Sequence, residues 1–312
     1  MSYFILRKGL RAIITMWLVV TFAFVVLRLS GDPVELLLGD APDPATLDYY
    51  RARYGFDRPI WEQYLSYFVN VLHGDLGISI KDERDAVEAV SQALPRTLQL
   101  GLASLALSLA IGIPLGMVAA VYRNRAADRF AMSFAVFGFS MPNFFLAILL
   151  ILLFSLQLRW LPSSGAGTWA HMVMPTIALG TAGAGSIARF TRSSMLEVLS
   201  KPYMRTASAK GVPALRRFSW HALPNAAIPI VTIIGFRLGD LVAGAIVIES
   251  VFAWPGVGRL LVSSVSSRDL AIVQAILLMV AFTMVAANFL VDLLYGWIDP
   301  RMRTGGSGQD KA

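Results

Sequence analysis

The sequence predicts an all-α integral membrane protein with six transmembrane helices and both termini in the cytoplasm. Three observations carry that expectation. Of 312 residues, 56% are hydrophobic and only 15% charged, whereas an ordinary soluble domain carries about 25% charged residues. Charge-free runs close to the ~20 residues that cross a bilayer recur along the chain. Lys and Arg gather in alternate connections between those runs, as the positive-inside rule requires of a multi-pass protein.

The first span is expected over 12–27, flanked by Arg7, Lys8 and Arg11 on one side and Arg28 on the other. Its apolar stretch exceeds the core of a secretory signal and no Ala-x-Ala cleavage site follows, so it reads as an uncleaved helix. The second (97–122) and third (130–158) lie in long charge-free runs, and the third contains Pro142. A proline there either kinks the helix or opens backbone carbonyls toward a pathway. The fourth, 171–188, is less apolar and carries Gly180, Ala182, Gly183, Ala184, Gly185 and Ser186. Such small residues allow close helix packing. The fifth, 226–248, includes Arg237 and Asp240, and the sixth runs over 270–294.

Sixteen Lys and Arg fall in the N-terminal segment, the loops 123–129 and 189–221 and the C-terminal tail, against ten on the other side. That bias sets both termini in the cytoplasm. The long connection between spans one and two holds twelve of the chain's 20 acidic residues, which suits an exterior segment. Within it Trp61, Tyr64, Leu65, Phe68, Val69 and Leu72 recur at helical spacing and predict an amphipathic helix. It serves either internal packing or docking of an exterior partner.

Much chemistry is excluded. The chain has no cysteine, hence no disulfide, thiolate nucleophile or cysteine metal site. None of its five lysines stands in a Gly-Lys-Ser/Thr phosphate loop. His73, His171 and His221 have no zinc-site spacing, no Gly-x-Ser-x-Gly elbow occurs, and no catalytic residue or bound cofactor is expected. The net charge of +7 fits cytoplasmic loops and anionic headgroups of the lipid bilayer better than nucleic acid.

The largest cytoplasmic connection, 189–225, favours helix up to Lys210; Gly211 suits a left-handed cap, and Pro213 suits the first turn of a second helix. This basic, bent helical pair serves either as a solvated connector or as a plug for a soluble partner. Tyr203, Arg205, Thr206, Ala207, Ala209, Lys210 and Gly211, followed by His221, Ala222, Leu223, Asn225, Ala226 and Pro229, resemble the EAA motif. That motif belongs to the permease subunits of binding-protein-dependent ABC importers in the dipeptide, oligopeptide and nickel group. Ser208 and Pro224 depart from the pattern. The likeness extends to Gly31-Asp32-Pro33, Gly74-Asp75-Leu76-Gly77, Leu94-Pro95-Arg96-Thr97, Trp160-Leu161-Pro162, Trp254-Pro255-Gly256-Val257-Gly258, Asp292-Leu293-Leu294-Tyr295 and Asp299-Pro300-Arg301.

The resemblance implies a type I ABC importer permease fold in a bacterial or archaeal plasma (inner) membrane. It divides the chain into an N-terminal helix (1–30), an exterior acidic segment (31–93), an ABC transmembrane type-1 domain (94–298) and a cytoplasmic tail (299–312). It implies a second homologous permease, two ATP-binding subunits that supply ATP and Mg, and an exterior solute-binding protein, with loop 189–225 coupling the ATPase to the spans. Peptides lead the implied substrates; nickel chelates, opines, glutathione and oligosaccharides stay open. The alternative is an ion-gradient-driven secondary transporter, for which Asp240 and Asp292 are the only buried coupling acids on offer.

Arg237 and Asp240, three apart on one helix face, are either a pathway feature or a structural pair. Asn288 and Asp292 suit an interhelical hydrogen bond. Glu249 is expected as a solvated helix end or as a recurring acid of the resembled family. Trp254-Pro255-Gly256 is expected as a tight exterior turn with Trp254 anchored at the membrane interface.

Overall fold

The computed structural model describes residues 2–29, 34–35, 43–79, 81–239 and 241–298. Thirteen α-helices can be followed through it: α1 (Ser2–Leu29), α2 (Pro44–Tyr54), α3 (Ile60–His73), α4 (Ala86–Val121), α5 (Ala126–Ser140), α6 (Asn143–Leu150) and α7 (Ala170–Leu199). Then come α8 (Pro202–Ala209), α9 (Ala214–Arg216), α10 (Leu223–Gly239), α11 (Ile246–Val251), α12 (Val257–Ser266) and α13 (Leu270–Ile298). Among the described residues the only β pairing is an isolated bridge between Ile78 and Asp85.

Three described stretches are long and apolar enough to cross a membrane: Lys8–Val26, Ala86–Val121 and Leu270–Leu290. They fall on α1, α4 and α13, where the first, second and sixth spans are expected. The expected third span is broken. Met141 is extended and Pro142 caps α6, so α5 and the following helix meet at 97°. A proline lacks the N–H that would continue the helix and pushes the residue before it out of helical geometry, and here the two effects end the helix altogether. The region of the expected fifth span is also interrupted: α10 ends at Gly239, and a 3₁₀ turn at Ala243–Ala245 leads into α11. Asp240 lies outside the described residues, as do Gly31-Asp32-Pro33 and the tail from Asp299.

The tightest packing joins α4 to α7. A Cβ at Gly112 would stand 2.8 Å from the Ala184 carbonyl oxygen, and one at Gly116 2.5 Å from that of Ala188. From the other side, Gly180 and Gly183 sit against Ser104, Leu107 and Ser108 of α4, while Gly185 meets the Ala135 carbonyl of α5. Ser108 Oγ donates to the Gly180 carbonyl at 2.8 Å. Lipid tails give helices no hydrophobic reason to associate, so close backbone approach and interhelical hydrogen bonds hold them together. The small-residue series of the expected fourth span supplies this interface through Gly180 and Gly183 and the contact with α5 through Gly185.

Helix α3 forms where the amphipathic helix is expected. It rests on α1 through a 2.8 Å hydrogen bond between Tyr64 and Thr21 and through Phe24, whose ring meets those of Tyr64 and Tyr67. The Gly74-Asp75-Leu76-Gly77 motif ends it: Gly74 is left-handed, and Asp75 Oδ1 accepts from the Gly77 amide at 2.9 Å. Asp85 then starts α4 by accepting from the amides of Val87 and Glu88.

Replacing Gly116 by Val should force α4 and α7 apart at a cost of about 1–3 kcal/mol and lower the thermal midpoint in detergent. A side chain at Gly9 meets nothing within 4 Å, so Gly9→Ala should leave the midpoint unchanged or slightly higher. An unshifted midpoint in Gly116→Val would contradict the packing.

Candidate functional site

Loop 189–225 is built as a bent helix pair on the end of α7. Pro202 occupies the first turn of α8, where its missing N–H costs nothing. At the other end Gly211 adopts φ +72°, its amide donates to the Ser208 carbonyl at 3.0 Å, and the Val212 amide donates to Ala207 at 3.1 Å. This double closure is a Schellman cap, and it turns the chain sharply into α9. Residues Arg217–Ala222 then form a π-helical turn that leads into α10.

Most of the sequence-predicted residues of this loop are brought together on its outer surface. Tyr203, Arg205, Thr206, Ala209, Lys210, Gly211, His221 and Asn225 are exposed; Ala207 and Leu223 are half-buried. Asn225 Nδ2 donates to the His221 carbonyl at 2.6 Å, which joins the π turn to α10. Ala222 and Ala226 face inward, and Pro229 lies on α10. Three residues escaped the sequence reading. Met204 is 3% exposed and plugs α8 into a cluster with Met195, Val198 and Ala222. Leu215 and Trp220 are 79% and 75% exposed, an apolar pair on an otherwise basic surface. Their unusual type in a polar loop was the signal available. Arg217 donates to Ser208 Oγ across the bend.

Where α7 approaches this loop, Arg192 grips Asp128 of α5 with two bonds, Nε to Oδ1 at 2.7 Å and Nη2 to Oδ2 at 2.8 Å. Asp128 is buried and also accepts from the Asn124 amide at 2.8 Å. A bidentate Arg–carboxylate pair fixes orientation as well as distance.

At the opposite end of α4, Glu249 is 0% exposed, which overturns the expectation of a solvated helix end. Its Oε1 accepts from Thr97 Oγ1 at 2.6 Å, and its Oε2 accepts from the Gly258 amide at 2.7 Å. Thr97 Oγ1 in turn accepts from the Val257 amide at 2.8 Å. Any side chain at Gly256 would collide with the Glu249 carboxyl. Trp254 is likewise buried rather than placed at a membrane interface: it is 1% exposed, and its Nε1 donates to the Arg96 carbonyl at 2.9 Å. The Leu94–Thr97 and Trp254–Gly258 motifs, 160 residues apart in sequence, therefore meet around one carboxyl.

Arg237 of α10 donates from Nη2 to Ser186 Oγ of α7 at 3.0 Å. Pro142 stands exposed at the break between α5 and α6. Asn288 is exposed on α13. Among the described residues no three His, Cys, Asp or Glu side chains gather to hold a metal ion.

Long apolar helices, a glycine-lined helix interface and a bent helix pair exposed at one end define a multi-pass membrane protein. The family model described as "Binding-protein-dependent transport system inner membrane component" matches residues 112–304, and that of its N-terminal part matches residues 1–101. The chain belongs to this family: it is the permease subunit of an ABC importer, not a secondary transporter and not an enzyme. It is 41% identical over 304 residues to the glutathione transport system permease protein GsiC of Escherichia coli, covering 97% of this chain and 99% of the relative. Its identity to GsiC of Pectobacterium atrosepticum is 42% with the same coverage. A solved structure of the MetNI methionine ABC transporter in inward-facing conformations shares the fold, with a TM-score of 0.56 at 18% identity, over 67% of this chain and 96% of that one.

Thr97→Ala removes a donor to Glu249 and an acceptor for the Val257 amide, leaving buried polar groups unpaired at a cost of about 1–3 kcal/mol. Thermal unfolding in detergent should show the loss, while Thr97→Ser keeps the hydroxyl and should stay close to the parent. Equal midpoints for all three proteins would refute the role given to this network.

Proposed function

We propose that this chain forms half of the translocation path of an importer for short peptides, with glutathione the leading substrate. It would pair with a second, similar permease, two cytoplasmic ATP-binding subunits that bring ATP and Mg, and an exterior solute-binding protein. The membrane is the bacterial inner membrane, and the chain crosses it six times with both termini inside. Two of those crossings are assigned to α7 and to the interrupted α10–α11. With 30 residues at 1.5 Å each, α7 is about 45 Å long, ample for a bilayer, although its small residues lower its hydropathy. The domain division at residues 30, 93 and 298 is part of the same proposal.

The exposed, bent surface running from Tyr203 to Trp220 is the observation that carries this reading. An engine that hydrolyses ATP elsewhere must push on something rigid. Helix α8 opens on Pro202, is closed by the Gly211 cap, is anchored by Met204, and is joined to α7 with only Ser200 and Lys201 between them. Displacing α8 therefore moves α7. Tyr203, Arg205, Thr206, Ala207, Ala209, Lys210 and Gly211 make the docking helix. His221 and Ala222 end the π-helical turn, and Leu223, Asn225 and Pro229 carry the connection on into α10. Trp220 supplies the kind of aromatic anchor that docked surfaces favour at their centres, and Leu215 adds exposed apolar area.

The substrate class rests on the two glutathione permeases, each at least 41% identical to this chain. Arg237 supports it: a guanidinium held by Ser186 within the spans suits the carboxylates of an anionic peptide, and a helix broken as at Pro142 is tolerated in a membrane where it lines a cavity. In transport, the loaded binding protein and ATP close the ATPase pair, the docking helices move, and the path changes from outward to inward access.

Gly211→Val places a β-branched residue at φ +72°, a strain of about 1–2 kcal/mol, and disrupts the bend. Uptake of labelled glutathione into cells expressing the whole importer should fall at least tenfold and the ATPase should cease to copurify, with membrane insertion unchanged. Normal uptake in that variant would sink the coupling mechanism.

A further inference from the structure

A cavity of about 510 Å³ lies between the end of α2, one side of α3, the loop 75–78 and the first turn of α13. It sits on the side proposed as exterior, away from the docking loop. Water-lined clefts are common, but this one contains side chains with hydrogen-bonding capacity left unused. Gln63 Oε1, Tyr67 OH and Gln274 Nε2 are buried and have no partner. Gln274 is only 8% exposed, although it stands on a helix whose other inward residues are apolar.

The three groups have defined roles. Gln63 spends its amide nitrogen on the carbonyls of Phe56 at 3.1 Å and Arg58 at 2.6 Å, so its free oxygen offers only acceptance. Gln274 Nε2 offers only donation. Burial pushes the Tyr67 phenol up to about 12, so its hydroxyl stays protonated at physiological pH and serves in either role. Gln274 stands beside that phenol and offsets part of the rise. Lining one cavity, this acceptor and this donor together offer what a peptide group needs, since it donates through N–H and accepts through C=O. At the rim the exposed side chains of Arg53 and Arg58 offer cationic forks for a carboxylate, and Asp75 offers an anion for an ammonium group.

We propose that this cavity binds a short peptide with a free carboxylate, as an exterior holding site on the permease itself. The proposal rests on the peptide-import reading above. The amide pair of Gln63 and Gln274 takes the peptide group, Tyr67 takes a second backbone group, and Arg53 with Arg58 takes the carboxylate. The volume falls within the usual range for small-ligand pockets and suits a di- or tripeptide.

The test uses the assembled importer in lipid nanodiscs without its binding protein, and two labelled probes, glutathione and trialanine. Uptake by the complete system is measured first; transport of neither probe would overturn both the peptide reading and this site. With the transported probe, saturable binding to the nanodisc complex is expected. Gln274→Leu should weaken it at least tenfold and leave the affinity of the isolated binding protein untouched. Should Gln274→Leu fail to assemble, Arg58→Ala is the second variant, because its side chain lies at the rim outside the packing. It should weaken binding of trialanine or glutathione several-fold but not that of C-terminally amidated trialanine. Transport without saturable binding, or binding unchanged in both variants, would show a cavity that holds water only and would overturn the site while sparing the importer.

Discussion

Everything mechanical in this protein depends on how closely α4 and α7 approach each other. In a bilayer the two helices gain nothing by hiding apolar surface from one another, because the lipid is equally apolar. What holds them is backbone-to-backbone contact through Gly112, Gly116, Gly180 and Gly183, and the bond from Ser108 to the Gly180 carbonyl. Helix α7 can then afford to be poor in large apolar residues, since its neighbours cover it. It is also the element that continues into the proposed docking helix, so its firm seating turns a surface loop into a lever.

Fixed points at the two ends of α4 complete that lever. At one end Asp128 and Arg192 bind α5 to α7 close to the loop, in a geometry that resists both sliding and rotation. At the other end the Glu249 carboxyl collects Thr97, Gly258 and, through Thr97, Val257, while Trp254 closes over the start of the apolar part of α4. A further clasp joins the loop before α4 to the start of α13, where Ser79 donates to the buried Asp269. Helices are interrupted at Pro142 and after Gly239. Rigid ends joined by broken helices suit alternating access, in which blocks rock while the breaks absorb the change.

Local signals in the sequence were informative wherever a residue answers to its own neighbours. Gly211 caps α8, Gly74 caps α3, Pro202 opens a helix, and the amphipathic spacing from Trp61 to Leu72 becomes α3. The small-residue series in the fourth span announced a close interface because glycine has one obvious use there. Long-range partners were not legible. Glu249 beside a loop reads as solvated until Thr97, 152 residues away, is placed against it. Trp254 reads as an interfacial anchor until the Arg96 carbonyl claims its indole. Asp128 and Arg192 are ordinary loop charges in the sequence, and Gln274 is one polar residue in an apolar run. Pro142 signalled a disturbance, but whether a proline kinks or ends a helix depends on what packs beyond it. In a chain that is 56% hydrophobic, periodicity also fails to separate faces that touch protein from faces that touch lipid.

Family membership, fold and role as an importer permease rest on the comparisons; the coupling of loop 189–225 to an ATPase is the central proposal. The absence of cysteine makes it directly measurable, because any introduced thiol is unique within this chain. A single cysteine replacing Leu215, which is 79% exposed, is compared with one replacing Leu72, which is 71% exposed on α3. Each is treated with a short thiol-to-amine crosslinker in the assembled importer, with and without ATP and vanadate. The account predicts that the Leu215→Cys chain alone crosslinks to the ATP-binding subunit and that nucleotide changes the yield. No crosslink from that position, or equal crosslinking from both, would contradict it.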